Sequence, residues 1–116
     1  MTIERFYGSA TGRCHVNRHA GLVYAVATAP GADIAEQMRN TLAGLEKNLE
    51  TGGSDRTRII QVTIYLKHMA DKDVMDPIWI EWIGPKENWP QRACVGADLA
   101  GDCLVEIVAV GAAKDA

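Results

Sequence analysis

The clearest pattern along the chain is a helical stripe. Ile34, Met38, Leu42, Leu45 and Leu49 recur at spacings of four, four, three and four, the repeat that puts side chains on one face of an α-helix. Asp33 precedes the stripe and Glu36 stands three residues on, a capping-box start. Thr51-Gly52-Gly53 supplies a glycine stop. The next segment changes period. From Arg58 to Lys67, Ile60, Val62, Ile64 and Leu66 alternate with Ile59, Gln61, Thr63 and Tyr65, which predicts a strand with one core face and one half-wet face. A second helix is expected from near Ala70 or Asp71, with Met75, Ile78, Trp79, Trp82 and Ile83 as its apolar stripe. Pro77 interrupts that stripe. Proline is tolerated in a first turn but not mid-helix, so the helix either starts at Asp76-Pro77 or is kinked there. Gly84-Pro85 ends it.

Shorter strands complete the pattern. Ile3 to Tyr7 reads as one, followed by the loop Gly8 to Gly12. Arg13 to Val16 and Leu22 to Ala27 read as a hairpin around Asn17 to Gly21, stopped by Pro30-Gly31. Beyond the second helix, the loop Lys86 to Pro90 leads into a strand carrying Arg92, and Cys103 to Val110 follows after the turn Asp98 to Asp102. This order predicts an α+β fold, a mostly antiparallel sheet with two helices on one face. The other sheet face is also rich in apolar groups, and two helices cannot cover both. A closed, symmetric homo-oligomer is the expected solution.

Composition narrows the function. A chain of 116 residues is one domain, 1–116, with a single core. Its net charge of -3 and lack of a basic cluster argue against a nucleic-acid partner. No apolar run approaches the roughly 18 residues of a membrane span. The N-terminus reads as a strand and lacks the plan of a signal peptide, so a cytoplasmic protein is expected. Three cysteines without a CxxC pair suit reduced thiols. Cys14, His15 and His19 span a hairpin with no fourth ligand in sight, and no metal is expected.

Two strands carry the candidate chemistry. In Pro90-Gln91-Arg92-Ala93-Cys94-Val95, Arg92 and Cys94 point to one face; in the last strand Glu106 shares a face with Leu104, Val108 and Val110. Each strand thus carries one charge where its neighbours suggest core. A buried charge is costly unless paired, and the simplest explanation is a common pocket lined by both.

Thr57-Arg58-Ile59-Ile60-Gln61-Val62-Thr63-Ile64-Tyr65-Leu66-Lys67, Met75-Asp76-Pro77-Ile78-Trp79, Pro90-Gln91-Arg92-Ala93-Cys94-Val95 and Val105-Glu106-Ile107 together resemble the RidA/YjgF family over nearly the whole chain. The most specific motif is Pro-x-Arg-x-Cys followed about a dozen residues on by an apolar-flanked Glu-Ile. The resemblance implies a chorismate-mutase-like fold assembled as a trimer, with a central barrel-like core, helices outside and clefts between subunits. It implies hydrolysis of small 2-imino or enamino acids to 2-keto acids and ammonia, with no cofactor. Carried over by position, Arg92 binds the substrate carboxylate, as a guanidinium can through two parallel bonds, and Glu106 holds the attacking water or the imine nitrogen. Cys94 is a pocket wall, and Asp76 stands where the family usually has asparagine. Trp89, by its place next to the Arg92 strand and not by the resemblance, either borders the cleft or packs in the core. The family's Gly-Pro-Tyr and Ser-Gly-Gln segments are replaced by Thr11-Gly12-Arg13-Cys14-His15 and Val26-Ala27-Thr28. Arg13 in the tyrosine's place makes the cleft more cationic and marks a divergent branch. The alternatives are a regulatory paralogue that binds a small carboxylate or ketoacid without turnover, and a deaminase for a larger catabolic enamine.

Overall fold

Helix α1 (Ile34–Thr51) forms as its stripe dictates. Asp33 is extended and its Oδ1 accepts from the Glu36 amide at 2.9 Å, satisfying one of the orphan donors of the first turn. Met38, Leu42, Leu45 and Leu49 are fully buried. The chain leaves through two glycines with different jobs. Gly53 adopts φ 92°, which favours glycine. Gly52 is there for space, because a Cβ would fall 2.4 Å from Val23 Cγ1. The computed structural model describes residues 2–115.

The strands are β1 (Glu4–Tyr7), β2 (Cys14–His19), β3 (Leu22–Ala27), β4 (Ile59–Leu66), β5 (Gln91–Gly96) and β6 (Val105–Ala112). They form one sheet in the order β1-β2-β3-β6-β4-β5. Every neighbouring pair is antiparallel except β4 and β5. That parallel pair needs a crossover, which helix α2 (Lys72–Ile83) provides. The last strand in sequence is therefore a central strand, and β5 lies at an edge. The expected α+β architecture, mostly antiparallel with both helices on one face, is the one observed.

Three boundaries differ from expectation. Strand β2 runs on to His19, so the hairpin loop shrinks to Ala20-Gly21, whose φ values of 53° and 79° are those of a two-residue type I′ turn. Polar Asn17, Arg18 and His19 looked like loop because they lie near a sheet edge and need no apolar pattern. In β4 the register against β6 slips between Ile59 and Gln61. This bulge inserts one residue, so Ile59 is buried at 6% exposure and Ile60 is 50% exposed, and the expected stripe loses its first member. Helix α2 begins after a 3-10 turn at Met69–Asp71 and runs through Pro77. The helix survives because Met75, Trp79 and Ile83, at every fourth residue, are all buried, while Pro77 faces solvent.

The core lies between the helices and one sheet face, where Val23, Ala25, Val62, Ile64, Val105, Ile107 and Ala109 meet α1 and α2. Gln37 ties the Asp98–Leu104 turn to α1. Its Nε2 donates to Asp102 O at 3.0 Å and its Oε1 accepts from the Leu104 amide at 2.9 Å. Among the described residues, no element covers the opposite sheet face. Tyr24 pairs with Val110 and Val26 with Val108 across β3 and β6, and Thr63 faces Val108 across β4. Tyr24, Val95 and Val108 there are exposed.

Candidate functional site

Strand register decides where the expected site residues point. In the parallel pair, Arg92 lies beside Val62 and Cys94 beside Ile64. Cross-strand partners share a face, and Val62 and Ile64 are buried under the helices. Arg92 and Cys94 therefore face the helix layer at the sheet's edge. Glu106 pairs with Tyr65, one residue out of phase with buried Ile107, and faces the uncovered side with Val108 and Val110. Leu104, Val108 and Val110 thus do not mark a core face; Val105, Ile107 and Ala109 do. Arg92 and Glu106 lie on opposite faces of one sheet, so a pocket shared by the two cannot form within a single chain.

The Arg92 side is built by one face of α2. The guanidinium carbon sits 5.8 Å from the Trp79 ring centre, within reach of a cation–π interaction. Nη1 lies 3.0 Å from Asp76 Oδ1 and 4.0 Å from Met75 Sδ. The other carboxylate oxygen, Asp76 Oδ2, accepts from Lys72 Nζ at 2.6 Å. Lys72, Asp76 and Trp79 fall at helical spacing, so about two turns of α2 supply the whole setting. Burial pushes the Asp76 carboxyl up, but the Lys72 hydrogen bond and the paired Arg92 guanidinium together outweigh it and hold the group below the ordinary carboxylate value. Burial raises the Cys94 thiol, with Arg92 and Lys72 only partly offsetting it. A protonated thiol is a poor nucleophile, which suits a wall. Trp89 is fixed at the end of α2, its Nε1 donating to Gly84 O at 3.0 Å, and it is largely exposed.

The Glu106 side is a cavity of about 310 Å³ whose lining includes Arg13, Cys14, His15, Thr28, Asn48 and Glu106. It opens where two strands part. β2 and β3 are paired from His19 opposite Leu22 to Val16 opposite Ala25 and diverge beyond. Asn48 Nδ2 donates to the Val26 carbonyl at 2.9 Å, in place of the lost strand partner. Thr28 Oγ1 donates to Val105 O at 3.1 Å and closes the end of the gap next to Glu106. His15 Nδ1 is buried there without a hydrogen-bond partner.

The expected residues thus fall into two groups, Arg92 with Cys94 and Asp76, and Arg13 with Glu106, while Trp89 stands at the end of α2. Lys72, Met75 and Trp79 were not among the candidates, because an apolar stripe reads as core and a lysine on a helix reads as solvated. The spacing of Lys72 to Asp76, one turn apart, was the available signal. Asn48 carried none. Among the described residues, no group of three or more histidine, cysteine or acidic side chains is placed to hold a metal ion. Among the described residues, no helix is long and apolar enough to cross a membrane.

Comparison with known proteins adds a consistent set of relatives. The family model described as endoribonuclease L-PSP matches residues 15–113. A RutC family protein of Haemophilus ducreyi is 38% identical over 88 residues, covering 75% of this chain and 74% of the relative. A RutC family protein of Haemophilus influenzae is 33% identical over 115 residues, 95% of this chain and 97% of the relative. Among solved structures, a YjgF family member from Neisseria meningitidis superposes with a TM-score of 0.91 at 30% identity, covering 100% of this chain and 98% of that one. A member of the YjgF family from Mycobacterium tuberculosis, 22% identical with a TM-score of 0.87 over 96% of this chain and 99% of that one, shares the fold.

Proposed function

Because this chain belongs to the RidA/YjgF family, matched by the endoribonuclease L-PSP model and by RutC and YjgF relatives, we propose that it hydrolyses small 2-imino or enamino acids to 2-keto acids and ammonia. The observation that carries this reading is the state of Arg92: a half-buried cation on an edge strand, held through Nη1, with no other hydrogen-bond partner for its remaining N–H groups among the described residues. A guanidinium so held is suited to clamp a carboxylate through two parallel bonds. RNA is a poorer match, since phosphate binding calls for a basic surface and the net charge is -3.

Arg92 and Glu106 on opposite faces act on one substrate only if two copies of the chain share the site. We assign the cleft to a subunit boundary in a homotrimer, where the Arg92 edge of one copy meets the Glu106 cavity of the next and three such contacts close a ring. Arg92 and Cys94 come from one subunit, with Asp76 behind them and Trp89 at the border; Arg13 and Glu106 come from its neighbour. In the cleft Arg92 holds the substrate carboxylate beside the C=N bond. Glu106 takes a proton from water as its oxygen bonds to the imine carbon, and passes a proton to nitrogen. Collapse of the carbinolamine breaks the C–N bond, forms C=O and releases ammonia. Water and substrate balance the reaction without a cofactor. The three free cysteines suit the cytoplasm.

A coupled assay trapping 2-iminopropanoate as its semicarbazone tests the activity. The protein is expected to accelerate imine loss over buffer. Arg92→Ala is expected to abolish both turnover and calorimetric binding of 2-ketobutyrate, with the sedimentation coefficient unchanged. Survival of ligand binding in that variant would remove the site from Arg92. Binding of 2-ketobutyrate without acceleration would favour a regulatory, non-catalytic binder. The replaced segments at Arg13 and at Val26-Ala27-Thr28, both lining the Glu106 cavity, are what motivate that second reading. Acceleration confined to bulkier substrates would favour a catabolic enamine deaminase.

A further inference from the structure

We propose that Lys72 is a positioning residue that sets the charge of the Arg92 clamp: by neutralising Asp76 it leaves Arg92 a full net positive charge for the ligand's carboxylate. The inference rests on the reading of Arg92 as a carboxylate clamp. Asp76 shares its two oxygens, Oδ1 with Arg92 Nη1 at 3.0 Å and Oδ2 with Lys72 Nζ at 2.6 Å. Arg92 and Asp76 alone would be a neutral pair, and an incoming carboxylate would meet attraction from one and repulsion from the other at nearly the same range. With Lys72 the group of three carries one net positive charge, which matches one bound carboxylate. The tether also orients the clamp. Asp76 occupies the Nη1 side, and the Nε–Nη2 edge has no hydrogen-bond partner among the described residues, leaving the side-on pair of donors that a carboxylate engages in parallel. The competing explanation is a solvated i,i+4 helix pair of small effect, since the Lys72 side chain is 42% exposed.

Cys94 provides a probe of this field that needs no ligand. It shares the Arg92 face of β5, and its ionisation is opposed by burial and Asp76 and favoured by Arg92 and Lys72.

The test uses the full chain as wild type, Lys72→Met, Lys72→Arg and the double variant Lys72→Met/Asp76→Asn. Calorimetry follows 2-ketobutyrate, and peptide-resolved iodoacetamide labelling of Cys94 is followed against pH. Lys72→Met is expected to weaken binding about tenfold, the scale of one unit charge acting from the far side of Asp76, roughly 8 Å away and screened by solvent. It is also expected to raise the Cys94 pKa. Lys72→Arg is expected to bind within about threefold of wild type, and the double variant to recover to the same range, because the uncompensated carboxylate is gone. Unchanged binding and unchanged Cys94 titration in Lys72→Met would overturn the proposal, as would failure of the double variant to recover while it remains folded by circular dichroism. If wild type binds no keto acid but Lys72→Met still raises the Cys94 pKa, the charge balance stands and the clamp's ligand is wrong. If neither is seen, both fall.

Discussion

Asp76 sits between two cations, and its ionisation links the Arg92 setting to stability. Its folded-state carboxyl lies below the ordinary value of 3.8, so the unfolded chain takes up the proton first as pH falls. The stabilisation is fully present above the unfolded value and is lost as pH drops through the lower, folded one. Asp76→Asn is therefore expected to flatten the fall of stability as pH drops below the ordinary carboxylate value of 3.8, read as urea midpoints at successive pH steps. A slope equal to wild type would mean that the ion pair does not persist in solution. At this scale the sequence was partly legible. Arg92, Asp76, Cys94 and Glu106 stood out by residue type, and Arg92 and Cys94 by shared parity. Lys72 did not, since a lysine in a helix is ordinary until its partner is seen to be an aspartate already engaged elsewhere.

Among the elements, α1 was fully legible because cap, stripe and stop all agree. Helix α2 was less so, since its proline argues locally for a break that the packing of Met75, Trp79 and Ile83 overrides. The ring nitrogen of Pro77 has no hydrogen to offer the Asp73 carbonyl one turn back. Pro77 is also exposed, so little packing depends on it. Pro77→Ala is expected to stabilise the protein by about 1–3 kcal/mol, the interior proline penalty less the benefit of a stiffer unfolded chain. The check is a rise in melting temperature; a fall would mean that the ring's contacts outweigh the missing bond. The bulge at Ile60 and the two-residue turn at Ala20-Gly21 escaped notice for a related reason. Both adjust register against a partner strand, and neither alters the local alternation enough to be read from it.

For the molecule as a whole, the uncovered sheet face is the consequential feature. Tyr24, Val26, Val108 and Val110 form an apolar surface adjoining Glu106, the kind of patch that soluble proteins cover with a partner. If that face packs against another copy, a charge in its centre is incompatible with assembly. Val108→Asp is expected to lower the sedimenting mass to that of a single chain and to abolish 2-ketobutyrate binding although Arg92 is intact. Retention of the wild-type mass would put the subunit contact elsewhere.

By itself the sequence determined the α+β class, the two helices, the position of the core stripe and the residue types available for acid binding. These follow from periodicities and caps that span a dozen residues or fewer. Only the tertiary structure decided which face each charge occupies. Arg92 and Glu106 look alike along the chain, each an ionisable group among small and apolar neighbours. Their faces depend on register with Val62 and Tyr65 in β4, thirty to forty residues away. Side chains alternate at every residue along a strand, so pairing across the sheet puts the two charges on opposite sides, where no local pattern could place them.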